Sequence, residues 1–197
     1  MLQVKRIVNE IFTSNTYIVY DVEYDYCWLV DIGDFKRIAD VIPPKIKIKG
    51  VFLTHTHFDH IYGINQLYDV FPDIAVYVSY EGNEALFSAK KNLSKYHDSP
   101  LEYKGSNVML ISDGNTIKLF PGVLLKAVAT PGHTSDSMSF LIEDKYLFTG
   151  DAFIPGVKVV TKLPNGNRSQ AQHSREVLQA LSERRIVCPG HGEMFYY

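Results

Sequence analysis

Cysteine is scarce in this sequence: only Cys27 and Cys188 occur in 197 residues. Two thiols can form at most one bridge, so the chain lacks the framework of a disulfide-stabilised secreted domain. No apolar run approaches the length of a membrane-spanning helix, and the first residues, MLQVKRIVNE, contain no apolar stretch typical of a signal peptide. We therefore expect free thiols, a cytoplasmic location and no membrane partner.

An excess of charge of either sign is also missing. The chain has 20 Lys and Arg against 22 Asp and Glu, a net charge of −2. This balance gives no support to a nucleic-acid partner. Apolar residues make up 46% of the sequence, enough for a sizeable core, and there is no repeat or linker. We expect residues 1–197 to form a single domain.

The sequence does contain many short apolar runs rich in β-branched and aromatic residues, which predict strands. These runs cover residues 17–20, 27–30, 50–53, 74–78, 123–129, 138–142 and 145–150. Helices are predicted at 35–42, 61–70, 81–93 and 169–183. Helices interleave with strands, but the middle strands follow one another directly. This order predicts an α/β fold of two mixed sheets packed face to face, with helices outside, in four layers.

Histidine is concentrated in one segment, HTHFDH at 55–60, directly after a predicted strand. Alternate residues of an extended chain point to one side, so His55 and His57 can reach one metal ion together. Asp59 and His60 break this alternation and can turn toward a second point nearby. Imidazole and carboxylate groups suit Zn²⁺, iron or Mn²⁺. The alternative is a solvated loop that happens to hold these residues.

Three more residues of ligand type follow predicted strands at glycine-containing turns. They are His133 in TPGHTSDS, Asp151 in FTGDAF and His191 in CPGHGEM. Loops at strand ends are where a rigid scaffold usually carries its site. Each cluster alone is weak, because a lone Pro-Gly-His is more often a turn than a ligand. Four such clusters in one small domain favour a shared metal centre.

Together these motifs resemble those of the metallo-β-lactamase fold superfamily, nearest in style to the small glyoxalase II-like hydrolases. The resemblance runs from SNTYIVY around Asn15, through LVDIGD at 29–34 and the H-x-H-x-D-H motif, to PGHG at 189–192. It implies an αββα sandwich with the metals at one edge between the sheets.

The resemblance also implies a ligand set. The first metal would be held by His55, His57 and His133, the second by Asp59, His60 and His191, and both would be bridged by Asp151. Asp31 matches an acidic position that the family places near the metals, with a role in orienting a ligand histidine. An aspartate that stabilises the D-x-G-D turn is an equal alternative. The expected cofactors are two zinc ions, with iron or manganese as alternatives.

Two close cations lower the pKa of a bridging water, so that a hydroxide exists near pH 7. That hydroxide is predicted to attack the carbonyl of a small thioester, lactone or related ester. Asp59 is further predicted to act in catalysis by accepting a hydrogen bond from the nucleophile. The stretch after Asp151, IPGVKVVTKLPNGNR, departs from the Gly-Arg-Thr-Asp-like stretch of glyoxalase II relatives and puts glutathione thioesters in doubt.

Two other functions stay open. One is a mono-iron oxygenase resembling the persulfide dioxygenases, which use only two histidines and one aspartate while the rest of the motif is still present in their sequence. The other is a metal-binding sensor without turnover. Basic residues at 90–104 and 156–168 either contact an anionic group of a substrate or belong to an ordinary solvated surface. The pattern gives no role to His97 or His173, and it indicates no oligomeric state.

Overall fold

The computed structural model describes residues 1–197, and its framework is a pair of six-stranded sheets stacked face to face. The strands are β1 (Leu2–Val8), β2 (Asn15–Asp21), β3 (Tyr26–Val30), β4 (Lys47–Phe52), β5 (Ala75–Ser79), β6 (Val108–Ile111), β7 (Thr116–Phe120), β8 (Val123–Ala129), β9 (Met138–Ile142), β10 (Tyr146–Gly150), β11 (Ile186–Pro189) and β12 (Phe195–Tyr196). The first sheet contains β1 to β6 in chain order. The second has the order β12-β11-β10-β9-β8-β7.

Both sheets are mixed. In the first sheet, β1, β2 and β3 pair antiparallel, and β3 to β6 pair parallel. In the second sheet, β7 to β10 pair antiparallel, β10 and β11 pair parallel, and β12 returns antiparallel. Parallel neighbours end at the same edge of a sheet, so the loops that follow them lie close together.

The helices lie on the outer faces of the two sheets. They are α1 (Phe35–Val41), α2 (Phe58–Ile61), α3 (Ile64–Val70), α4 (Tyr80–Leu86) and α5 (Arg168–Ser182). Short 3₁₀ turns occur at Ile11–Thr13 and Ser94–Tyr96. The longest helix, α5, begins at Asn167, whose side chain accepts a hydrogen bond from the Gln170 amide.

Alternating side chains along the strands divide the core into three clusters. On β2, Ile18 points toward the helices of the first sheet, whereas Tyr17 and Val19 point between the two sheets. On β10, Phe148 belongs to the layer between the sheets and Leu147 packs under α5. A strand with two buried faces needs apolar residues at every position. The predicted four-layer fold is thereby confirmed.

The predicted helix over 81–93 is wrong beyond Leu86. The chain after α4 is held in an irregular path by side chains that bond to the backbone. Asn92 Nδ2 donates to the Leu101 carbonyl at 2.9 Å, and the Leu101 amide donates to Ser94 Oγ at 2.7 Å. Asparagine and serine bond to nearby backbone in this way and so compete with helix formation.

Both cysteine thiols are free and buried. Cys27 belongs to the cluster under the first sheet's helices, and Cys188 belongs to the cluster between the sheets. Burial raises the pKa of the Cys27 thiol to about 12 and also raises the pKa of Cys188. Both thiols therefore have a packing role. No helix of the structure combines the length and the apolar character needed to cross a membrane.

Candidate metal centre

The loops after β4, β8, β10 and β11 meet at one end of the two sheets, and they carry all seven residues predicted as ligands. His55 and His57 lie on extended chain after β4, and α2 begins immediately afterwards at Phe58. The start of this helical turn explains why Asp59 and His60 leave the alternation and face a different point.

The first donor group consists of His55, His57 and His133. Their nitrogens lie within 4.8 Å of one another, and all three side chains are buried. His133 Nε2 faces His57 Nδ1 at 3.0 Å, and the ring of His55 lies 4.8 Å and 4.9 Å from the rings of His57 and His133. Three imidazoles that converge edge to edge without an intervening acid are typical of a transition-metal site.

The second donor group consists of Asp59, His60 and His191, which also lie within 4.8 Å of one another. Asp59 Oδ2 is 3.4 Å from His60 Nε2 and 3.3 Å from His191 Nε2, and the two Nε2 atoms are 3.4 Å apart. This group is less buried than the first, because 23% of the His191 side chain is exposed.

The carboxylate of Asp151 lies between the two groups. Its Oδ2 is 3.6 Å from His133 Nε2 in the first group and 3.4 Å from His191 Nε2 in the second, and its Oδ1 is 3.5 Å from His60 Nε2. The close approach of the Asp151 carboxylate to these imidazoles also requires a glycine at position 190, because a Cβ there would lie 2.1 Å from Asp151 Oδ1. The geometry brings the predicted bridging residue within reach of both groups.

Four of the imidazoles are oriented by a hydrogen bond from Nδ1. His133 Nδ1 donates to the Val160 carbonyl at 2.9 Å, and His191 Nδ1 donates to the Phe12 carbonyl at 3.0 Å. His60 Nδ1 donates to Asp31, and His55 Nδ1 donates to Thr54. A ring that donates from Nδ1 presents the lone pair of Nε2, so these four rings can ligate through Nε2. His57 instead directs Nδ1 toward the first group.

Asp31 is a buried carboxylate that contacts the last histidine of the H-x-H-x-D-H segment and the threonine that precedes the segment. Its Oδ2 accepts from His60 Nδ1 and from Thr54 Oγ1, both at 2.8 Å, and its Oδ1 accepts from the Thr54 amide at 2.7 Å. Thr54 Oγ1 in turn accepts from His55 Nδ1 at 3.1 Å. Asp31 has a φ of +57°, a left-handed conformation that is uncommon for aspartate. Of the two alternatives from the sequence, the contacts favour orientation of a ligand histidine.

Asp136, a second buried carboxylate under the first group, was not among the predicted site residues. Asp136 Oδ2 accepts from the amide and the hydroxyl of Thr56, at 2.9 Å and 2.8 Å. Thr56 lies between His55 and His57, and Asp136 follows His133 by three residues. This one carboxylate therefore ties the two loops of the first group together. The only available signal was its position close to the turn that carries His133. Spacing of this kind is equally common for an ordinary aspartate at the protein surface.

The two donor groups differ in the charge that their imidazole rings carry without metal. Burial, aided by neighbouring imidazoles, lowers the pKa of His57 to about 4 and lowers the pKa of His55 as well. Burial acts in the same direction on His60 and His191, but nearby carboxylates outweigh it and raise the pKa of His60 to about 9 and of His191 to about 10. Without metal, the second group therefore holds positive charge on protonated rings, where a cation would otherwise lie.

Two buried atoms of the centre have no hydrogen-bond partner, His55 Nε2 and Asp151 Oδ1. Buried polar atoms are almost always satisfied, and each exception requires an explanation. Both atoms point among donors of the type that transition metals prefer. The residues present therefore fit metal ions.

His97, His173 and Tyr62 lie outside the donor groups. The His97 ring stacks on Phe58 with a centroid distance of 4.4 Å and meets the exposed ring of Phe12 edge-on at 5.7 Å. His173 is an exposed residue of α5, and Tyr62 packs against the core of the first sheet.

Comparison with known protein families agrees with this architecture. The family model described as the metallo-beta-lactamase superfamily matches residues 11–191. The matched range includes every residue of both donor groups and Asp151.

Solved structures with the same fold cover nearly the whole chain. The BLEG-1 B3 metallo-beta-lactamase superposes with a TM-score of 0.86 at 22% identity, over 98% of this chain and 94% of the other. TTHA1623 in a di-iron-bound form superposes with a TM-score of 0.82 at 22% identity, over 98% of this chain and 94% of the other. ETHE1 from Myxococcus xanthus gives 0.71 at 25% identity, over 97% and 76%. These structures share the fold of the chain, and the family match shows that the chain belongs to the metallo-β-lactamase superfamily of metal-dependent hydrolases.

Proposed function

We propose that this chain is a di-metal hydrolase that cleaves a small thioester, lactone or related ester. The observation that supports the proposal most strongly is the pair of three-donor groups around the shared carboxylate of Asp151. In this assignment His55, His57 and His133 hold the first ion, Asp59, His60 and His191 hold the second, and Asp151 contacts both.

Two ions are proposed because hydrogen bonds orient the imidazoles of the second group as well as those of the first. His60 is fixed by Asp31 and His191 by the Phe12 carbonyl, so neither ring is left to rotate. Hydrogen bonds of this kind orient ligands in metalloenzymes and raise their basicity. A mono-iron oxygenase would leave these oriented donors of the second group without an ion. The proposed metal is zinc, with iron as the alternative that the di-iron form of TTHA1623 suggests.

Bound ions supply Lewis acidity and lower the pKa of a water beside them. The protein's part is to fix and hold the groups around that water. Asp59 is predicted to accept a hydrogen bond from the attacking water, because neighbouring imidazoles overcome burial and keep its carboxyl pKa low. An acceptor-only carboxylate orients a nucleophile and leaves its lone pair directed at the substrate carbonyl.

A small-molecule substrate is supported by the size of the cleft beside the first group. A cavity of about 410 Å³ opens next to Thr56 and His57, with Tyr96 and Asn165 on its walls. Cavities of a few hundred Å³ hold small organic ligands. We further propose that the enzyme acts as one domain, residues 1–197, in the cytoplasm.

The test combines metal analysis with a substrate panel. Protein purified without added metal is expected to contain two transition-metal equivalents and to cleave members of a thioester, lactone and phosphodiester panel. His191→Ala is expected to lose mainly the second ion, and His173→Ala, a histidine exposed on α5, is the matched control. One saturating equivalent, with Asp59 and His191 dispensable for activity, would contradict the binuclear assignment. Bound iron with oxygen uptake from a persulfide solution would favour the oxygenase instead.

A further inference from the structure

A basic cleft lies beside the metal centre, between the chain segment 158–162 and the first turns of α5. Its volume is about 560 Å³, and four of its nine lining residues are basic: Lys158, Lys162, Arg168 and Arg175. The other lining residues are neutral. One acid, Glu176, contacts this lining by accepting a hydrogen bond from Gln172 Nε2 at 2.7 Å.

None of the four basic residues forms an ion pair. Three of the four other arginines of the chain, Arg6, Arg37 and Arg185, each contact a carboxylate. In a chain with net charge −2, four unpaired cations around one concavity are an uneven distribution of charge. A concave surface of one sign concentrates ions of the opposite sign.

The cleft adjoins the metal centre, and the chain segment 158–160 borders both. Lys158, Val159 and Val160 line the cleft, and they also line a small cavity that reaches His133 and Asp151. The Val160 carbonyl, which orients His133, therefore belongs to the wall between the two spaces. A molecule that extends from the donor groups along this segment meets the basic side chains.

Helix α5 forms the opposite wall of the cleft, and hydrogen bonds join it to the loop that carries His133. The Asn167 amide donates to the Gly132 carbonyl at 2.8 Å, and Ser174 Oγ donates to the Pro131 carbonyl at 2.7 Å. Because α5 is joined to the turn that carries a predicted ligand, Arg168 and Arg175 keep a defined position relative to the centre. The N-terminal end of α5 adds its own partial positive charge near Arg168.

We propose that the basic cleft binds an anionic group of the substrate, a phosphate or a carboxylate, at a distance from the bond that is cleaved. This inference rests on the proposed function and narrows it to esters or thioesters that carry a terminal anion. Arginine and lysine both bind such oxygens, and the guanidinium of Arg168 can do so with two parallel hydrogen bonds.

The kinetic test compares three esters that differ only in the terminal group: phosphate, carboxylate or neutral hydroxyl. The double variant Lys158→Gln/Arg168→Gln removes two charges from the cleft. The double variant Lys36→Gln/Lys126→Gln removes two exposed charges elsewhere and is the matched control. In the cleft variant, the ratio of kcat/KM for the anionic ester to that for the neutral ester is expected to fall about tenfold, the loss that follows removal of a charge-assisted hydrogen bond. The control is expected to keep the native ratio.

The phosphate and carboxylate esters distinguish the two kinds of anion, because the terminal group that suffers the larger loss is the one the cleft prefers. An unchanged ratio in the cleft variant would overturn the proposal. An equal fall in both double variants would also overturn it, since that result indicates only the net charge of the protein.

A second measurement does not depend on hydrolysis. Inorganic phosphate is titrated into the metal-loaded protein by calorimetry, and the cleft variant is expected to bind it about tenfold more weakly than the control variant. Equal affinities would overturn the proposal, because phosphate would then bind only at the metal ions. If no ester is cleaved but phosphate binding depends on the cleft, the proposed function fails and the anion site stands.

Discussion

At the scale of single residues, Asp151 has the most demanding position in the centre. Its two carboxylate oxygens face imidazoles of both donor groups, and those imidazoles outweigh burial and keep its pKa low. A negative charge between two dications reduces their mutual repulsion. Loss of Asp151 therefore affects both groups, whereas loss of His191 affects one.

We expect Asp151→Ala to lose both metals, or to bind them far more weakly, and to lose hydrolysis by several orders of magnitude. His191→Ala is expected to retain the first ion. The fold of both variants is expected to survive, because the core strands do not depend on these side chains. Metal content, hydrolysis rate and thermal melting of the two variants are measured side by side. Two tightly bound metals and near-normal turnover in Asp151→Ala would show that the bridging assignment is wrong.

Asp136 is expected to stabilise the segment between His55 and His57. Asp136→Ala leaves the amide and the hydroxyl of Thr56 without their acceptor, at a cost of about 1–3 kcal/mol for each buried unsatisfied group. Asp136→Asn retains one acceptor oxygen and is the matched control, with a smaller loss. Urea unfolding of the metal-free variants gives the free energies. Identical stability of the native protein and Asp136→Ala would contradict this role.

The two donor groups are expected to take up metal with different pH dependence. Because the pKa values of His60 and His191 are raised to about 9 and about 10, both rings hold a proton at pH 7 that an ion must displace. Affinity of the second group therefore rises with pH up to that range. Because the pKa of His57 is about 4 and that of His55 is also lowered, these two rings of the first group are already neutral and add little pH dependence between pH 6 and 8.

Titration calorimetry at pH 7, in two buffers with different ionisation enthalpies, measures the protons released on metal binding. His191→Ala is expected to release fewer protons than the native protein. Equal release by the two proteins would contradict the division of charge between the groups.

Residues with a side-chain signature were predictable from the sequence, and residues that act through the backbone were not. His55, His57, Asp59 and His60 stand out because four ligand-type side chains crowd into six positions. The carbonyls of Val160 and Phe12 orient His133 and His191, but any residue type supplies a carbonyl, so no pattern identifies them.

At the scale of elements, strands with two buried faces were the easiest to predict. β10 reads as a continuous apolar run because all its residues are buried. The edge strand β6 was missed, since Met109 and Leu110 are exposed and its four residues carry little pattern. Burial on both sides constrains each position of a strand, whereas an edge strand is defined mainly by backbone pairing.

The contact between α5 and the His133 turn gives a prediction at this scale. Gly132 has a φ of +134°, and a Cβ there would lie 2.1 Å from the Ala171 amide nitrogen. We expect Gly132→Ala to displace α5 and to weaken metal binding by the first group. Gly114→Ala is the control, because Gly114 also has a positive φ of +77° but nothing within 4 Å. Its cost is expected to be the left-handed strain alone, about 1–2 kcal/mol.

Metal affinity and urea unfolding of the two glycine variants separate these effects. Equal losses in Gly132→Ala and Gly114→Ala would show that backbone strain, and not the contact with α5, accounts for the change.

At the scale of the whole molecule, the donors come from both sheets. His55, His57, Asp59 and His60 follow a strand of the first sheet, and His133, Asp151 and His191 follow strands of the second. Each donor group includes residues from the two sides. Metal ions bound as proposed therefore join the sheets at one end of the sandwich, where the site replaces apolar packing.

Removal of metal is therefore expected to lower the Tm of the whole chain in one cooperative transition. An ion present at a thousandfold excess over its Kd stabilises the native state by about 4 kcal/mol. For a chain of this size, each kcal/mol corresponds to roughly 2–4 °C in Tm. Calorimetric melts with and without a chelator measure the shift.

The variants used above divide this shift between the two groups. His191→Ala is expected to keep the part due to the first ion, since His55 and His57 still face His133 across the sheets. Asp151→Ala is expected to show little difference between chelated and metal-treated samples, because it weakens both ions. Melting temperatures of the native protein that are the same with and without chelator would contradict the idea that metal joins the sheets. A full native shift in Asp151→Ala would show that the ions are held without the shared carboxylate.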